Sequence, residues 1–171
     1  MRYDNNKYTI IKYFIFTVSI VIASLLQNSN GAFPEIFGAR AFLLIPLTVV
    51  IAMHEREIPA ALFGAFSGVL WDICSLNDGF NTLTLMIISA VCSVLISHLM
   101  RKNIITAFVL SGGAVLVYSL IYVLFNIVFS GGGSGANAVL TFYIPSCIYT
   151  LAFVPVMYFF ADKIYFKYKR S

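Results

Sequence analysis

Residues 60–72 read AALFGAFSGVLWD, and Asp72 closes an apolar stretch whose composition is that of a membrane helix. A carboxylate at bilayer depth costs roughly 2.5–3.5 kcal/mol on insertion scales, so such a group faces protein or trapped water rather than lipid. Gly68 and Gly64 stand at i−4 and i−8 and share its helical face. Small residues at that spacing let another backbone come close. One helix thus carries a close-packing groove and a polar group on a single face. Two readings of Asp72 stand: a cap or anchor at the outer end of a packing helix, or a group used in binding or coupling.

The rest of the chain agrees with a membrane setting. It has 171 residues, 60% hydrophobic and 11% charged, with mean hydropathy +0.91. Soluble domains run nearer half apolar and a quarter charged. The reading is an all-α, polytopic membrane protein forming a single integral domain over residues 1–171. The first apolar run is too long for a signal-peptide core and lacks a small-residue cleavage site, so no cleavable leader is expected. The net charge of +4 does not indicate nucleic-acid binding, because the basic residues fall at the joins between apolar runs, where the membrane surface accounts for them. Cys74, Cys92 and Cys147 are widely spaced and lack metal-ligand spacing, so they read as small buried apolar residues, with no metal or cofactor expected.

The apolar runs cover about 10–27, 41–53, 59–73, 83–100, 104–129 and 138–161. A straight span needs roughly 20 residues, so the second and third runs are short. With six crossings and a cytoplasmic N-terminus, Arg2, Lys7, Lys12, Arg56, Arg101, Lys102, Lys163, Lys167, Lys169 and Arg170 lie inside and only Arg40 outside. That bias places both termini in the cytoplasm. A re-entrant pair in place of runs two and three would bury His54-Glu55-Arg56-Glu57 in the bilayer, which is too costly. Six spans are therefore expected, the second and third short, in a thinned bilayer or shielded by neighbours. Pro59 suits the first turn of helix three, where its missing N–H is not needed.

Outside the spans, Pro34-Glu35 suits the start of a short interfacial helix, and residues 130–137 read as a flexible turn. The C-terminal IYFKYKRS reads as an interfacial anchor. His54 and His98 are expected at the solvated interface. Ser89, Ser93 and Ser97 form a small polar stripe on helix four that can face Gly64 and Gly68. Tyr118, Tyr122 and Asn126 share a face of helix five, and Asn126 lies at a depth similar to Asp72. The two could hydrogen-bond or line one water-filled pocket. Pro145 and Pro155 would kink helix six and free carbonyls for Ser146 or Thr150 to satisfy.

Other chemistry lacks a signature. The sequence has no HExxH, GxSxG or P-loop, and no paired acidic motif of a lipid phosphotransferase. Asp72 alone gives a pump neither relay nor counter-charge, and no inverted repeat is visible. An enzyme is not expected.

The stretch Phe63-Gly-Ala-Phe-Ser-Gly-Val-Leu-Trp-Asp72, followed by Gly79-Phe80, resembles the GF-x-x-GL-x-x-D segment of the rod shape-determining protein MreD family, in which a later glycine opens the next helix. Length, Leu26-Gln27 closing helix one and Pro46 in a short helix two agree, while Ala65 and Val69 depart from the family's preferences. The resemblance implies a non-enzymatic scaffold of the bacterial cell-elongation complex in the cytoplasmic membrane. Its direct partner would be the bitopic protein MreC, with MreB filaments, RodA and the transpeptidase partner of RodA reached indirectly, so that it helps couple MreB filaments to peptidoglycan synthesis and regulates cell shape. It also implies a compact bundle resembling the S component of energy-coupling-factor vitamin transporters, and such a substrate-binding subunit is the alternative function. In the scaffold reading Gly64, Gly68, Asp72, Ser89 and Ser93 pack against a partner or neighbouring helix, and Tyr118, Tyr122 and Asn126 are the candidate cavity residues.

Overall fold

The computed structural model describes residues 2–29, 42–75, 79–130 and 144–169. An eleven-residue apolar helix, Leu44–His54, organises them. At the usual helical rise it is ~16 Å long, about half a hydrocarbon core. It has no polar face, and a helix that is hydrophobic all round belongs inside a protein. All eleven of its residues are buried.

Among the described residues the helices, in chain order, are α1 (Arg2–Asn28), α2 (Leu44–His54), α3 (Glu57–Ser75), α4 (Phe80–His98), α5 (Ile104–Ser130) and α6 (Ile144–Lys169). The other five all pack against α2, so its shortness is resolved by shielding. The expectation of a short third helix is corrected. α3 takes in Glu57 and Ser75 and reaches 19 residues, because Pro59 falls in its first turn and does not delay its start. α4 starts at Phe80 rather than residue 83, since Gly79 turns the chain into it at φ +82°, a conformation that favours glycine. α1 extends back to Arg2, and α6 continues as helix through most of the basic-aromatic tail. The interfacial segment at Pro34-Glu35 and the turn over 131–137 lie outside the described residues.

Among the described residues, four stretches are long and apolar enough to cross a membrane: Tyr8–Asn28, Glu57–Ser75, Phe80–His98 and Ile104–Phe125. The bundle is apolar outside and partly polar inside. Leu62, Leu83, Leu120 and Leu124 are exposed, whereas Ser67, Ser89, Ser93, Ser119 and Thr150 are buried. Several interior hydroxyls hydrogen-bond to their own helix: Ser67 donates to the Gly64 carbonyl and Ser119 to that of Val115.

The closest helix pair is α3 with α4. A Cβ added at Gly64 would meet the Ser89 hydroxyl and stand 2.5 Å from the Leu85 carbonyl. One added at Gly68 would overlap Thr82 Cα and stand 2.6 Å from the Asn81 carbonyl. The groove that the glycines open is filled by the chain's own next helix, so an external helix finds it covered. Gly68→Ala is therefore expected to force α3 and α4 apart, lowering stability by roughly 1–3 kcal/mol, because its neighbours are backbone and cannot move aside. Gly64→Ala should cost less when combined with Ser89→Gly. Thermal unfolding in mild detergent measures both.

Candidate functional site

A helix starting inside a bundle leaves its first N–H groups without intrahelical partners. At α4 those groups are met by Asp72, reaching across from the end of α3. Its Oδ1 accepts from Asn81 N at 3.1 Å, and its Oδ2 accepts from Thr82 N at 2.8 Å and the Thr82 hydroxyl at 2.6 Å. Asp72 is buried, so the carboxylate and the positive end of the α4 dipole attract each other in a low-dielectric setting. The aspartate caps the following helix rather than its own.

Asn81 extends this network inward. It is fully buried, accepts a 2.7 Å bond from the Tyr118 hydroxyl on Oδ1, and donates from Nδ2 to Ser75 Oγ at 3.4 Å. The Tyr118 ring stacks on Trp71 at 5.2 Å and 17° and lies 5.8 Å from Phe42. Tyr122 packs edge-on to Phe80. Tyr118 therefore packs in an aromatic cluster and is joined to Asp72 through Asn81. The Asn126 backbone continues α5, but its side chain is outside the described residues.

The entry to α2 is satisfied in the same way. Leu44 N donates to Gln27 Oε1 of α1 at 3.0 Å, and Phe42 N donates to Thr150 Oγ1 of α6 at 2.9 Å. Thr150, expected to relieve carbonyls freed by proline, instead accepts from another segment.

At the opposite end of the bundle, the turn from α2 to α3 is held by α1 and α4. Lys12 Nζ of α1 lies 2.6 Å from Glu55 Oε1, Tyr13 donates to Oε2 at 3.4 Å, and Ser93 of α4 donates to the Glu55 carbonyl at 2.9 Å. Ser93 thus serves the end of α2, whereas Ser89 faces Gly64. His54 is buried, with Nδ1 2.9 Å from the Val50 carbonyl and Nε2 3.3 Å from Asp162 of α6. This corrects the expectation of a solvated His54: the Asp162 carboxylate gives its ring a polar partner inside the bundle. His98 is exposed. Cys92 is buried, but Cys74 is exposed near the end of α3, which corrects its reading as a core residue. Beside the turn lies a cavity of about 610 Å³ between the end of α2, α3, α4, α6 and the segment before α5. Among the described residues no three His, Cys, Asp or Glu side chains gather as a metal centre requires.

Helical architecture, apolar outer faces and polar groups drawn inward define a helical membrane protein. No protein-family model, curated protein or solved structure matches the chain.

Asp72→Ala leaves the buried Asn81 N–H and the partly buried Thr82 N–H without an acceptor and is expected to cost roughly 1–3 kcal/mol. Asp72→Asn keeps one acceptor oxygen and should recover part of that loss, whereas Thr82→Val removes only the hydroxyl bond and should cost least. Melting temperatures of the three variants in one detergent test the order, and an unchanged Asp72→Ala protein would contradict the cap.

Proposed function

We propose that this chain is a non-enzymatic membrane scaffold of the MreD kind, binding the single transmembrane helix of an MreC-like partner and linking MreB filaments to peptidoglycan synthesis by RodA and its transpeptidase partner. The observation that carries the reading is the part each distinctive residue of the 63–80 stretch plays. Gly64 and Gly68 bring α3 onto α4, Asp72 caps α4, and Gly79 turns the chain into it. The pattern behind the resemblance is thus a physically coherent helical hairpin, and its carboxylate is engaged in holding backbone.

Because the small faces of α3 and α4 are turned on each other, the partner's helix in this reading docks on an outer face. Such docking is van der Waals packing with occasional hydrogen bonds of roughly 0.6 kcal/mol, so specificity comes from shape over a long contact. The six-span topology belongs to the same proposal, with the end carrying Lys12, Arg56 and Lys102 in the cytoplasm. It is supported by the contacts of Lys12 in the first half of α1 with Glu55 and of Asp162 in the second half of α6 with His54, which bring those parts of the helices to the α2–α3 turn.

Affinity purification in mild detergent should recover a bitopic MreC-like protein. A stoichiometric vitamin-sized metabolite in its place would overturn the scaffold in favour of a transporter S component. A cysteine replacing Arg56 should resist a membrane-impermeant external reagent while one placed in residues 131–137 reacts, and labelling at position 56 would overturn the topology.

A further inference from the structure

The cavity beside the α2–α3 turn joins charge and hydrocarbon in a way the scaffold reading does not use. Its lining includes Arg56 and Glu57 at the start of α3, Ile96 and Ser97 late in α4, Lys102 just before α5, and Tyr165 of α6. Glu55 also lines the cavity, where Lys12 neutralises it at 2.6 Å. Arg56 and Lys102 are exposed, and neither makes an ion pair among the described residues. Lys102 Nζ stands 5.0 Å from the centre of the Tyr165 ring, which holds it at the cavity wall. With Glu55 paired to Lys12, Arg56 and Lys102 stand against the one remaining carboxylate of the lining, that of Glu57, and leave the rim net positive.

The cavity also has an apolar exit. Ile58 lines it and is 75% exposed, and Leu62, one turn further along α3, is 66% exposed. Phe66, Val69 and Ile73 continue this outer stripe at helical spacing. A site that is cationic at its mouth and continuous with an exposed apolar ridge suits an amphiphile. A soluble anion would use only the mouth.

We propose that this cavity binds the phosphodiester headgroup of a membrane phospholipid, with the phosphate between Arg56 and Lys102 and an acyl chain along the Ile58–Leu62 stripe of α3. Arginine offers phosphate a bidentate fork and lysine a mobile point charge, and basic pockets among membrane helices are suited to such headgroups. The lipid joins the turn after α2 to the start of α5, two segments that meet at this cavity. The site goes beyond the scaffold reading and stands whether or not a protein partner is found.

The test is native mass spectrometry of the delipidated full chain in mild detergent, titrated with phosphatidylglycerol. One tightly held lipid per chain is expected. Arg56→Gln with Lys102→Gln should weaken it by about tenfold or more, whereas Arg101→Gln with Lys163→Gln, which removes equal charge away from the cavity, should leave it. Ser97→Trp, which fills the cavity without removing charge, should also weaken it and serves if the glutamine pair fails to fold. Inorganic phosphate at matched concentration should not displace the lipid. Equal binding by the folded cavity variants, equal loss in the control pair, or displacement by phosphate alone would each overturn the proposal.

Discussion

Backbone N–H groups at the start of a helix need acceptors, and inside a packed membrane bundle water does not supply them. This constraint explains where four of the chain's inward-reaching polar side chains sit. Asp72 meets the first amides of α4, Gln27 meets the entry to α2, and Thr150 meets the segment before it. At the other end of α2, Ser93 donates to the Glu55 carbonyl. Each acceptor or donor comes from a different helix than the group it serves, so satisfying the backbone also fixes how the helices are placed. Leaving one such buried group unmet costs roughly 1–3 kcal/mol, comparable to a well-packed side chain.

The short α2 shows what this arrangement permits. A helix of ~16 Å cannot reach both faces of a bilayer, yet five longer helices surround it and its ends are met by their side chains. The outer surface is then left to apolar residues, which is the condition for contact with lipid or with a partner's helix. Charge is concentrated at one end, where Lys12, Glu55, His54 and Asp162 bind α1, α2 and α6 together. In the proposed scaffold, a partner would therefore meet a body whose internal register is already set by hydrogen bonds.

What could be read from the sequence follows from range. Gly64, Gly68 and Asp72 share a face by four-residue spacing, and Ser89 opposite them follows the same rule, so the α3–α4 contact is legible in the sequence. The apolar run of α2 was visible as too short, and shielding by neighbours was one of two expected remedies. The cap on α4 was harder. The acceptance of the Asn81 and Thr82 amides by Asp72 depends on how the end of α3 packs against the start of α4, which no periodicity encodes. Tyr118 meeting Asn81, and His54 meeting Asp162 across 108 residues, are likewise products of packing. A lone histidine next to charged residues looks solvated until the helix that covers it is known.

The central claim is that the Asp72 carboxylate holds the first turn of α4 from across the hairpin. Amide hydrogen exchange resolved at Asn81 and Thr82, in wild type and Asp72→Ala, tests it most directly. The account expects both amides to be protected in the wild type and to exchange much faster in the variant, with the middle of α4, around Ser89, unchanged. Equal protection of Asn81 and Thr82 in the two proteins would contradict it.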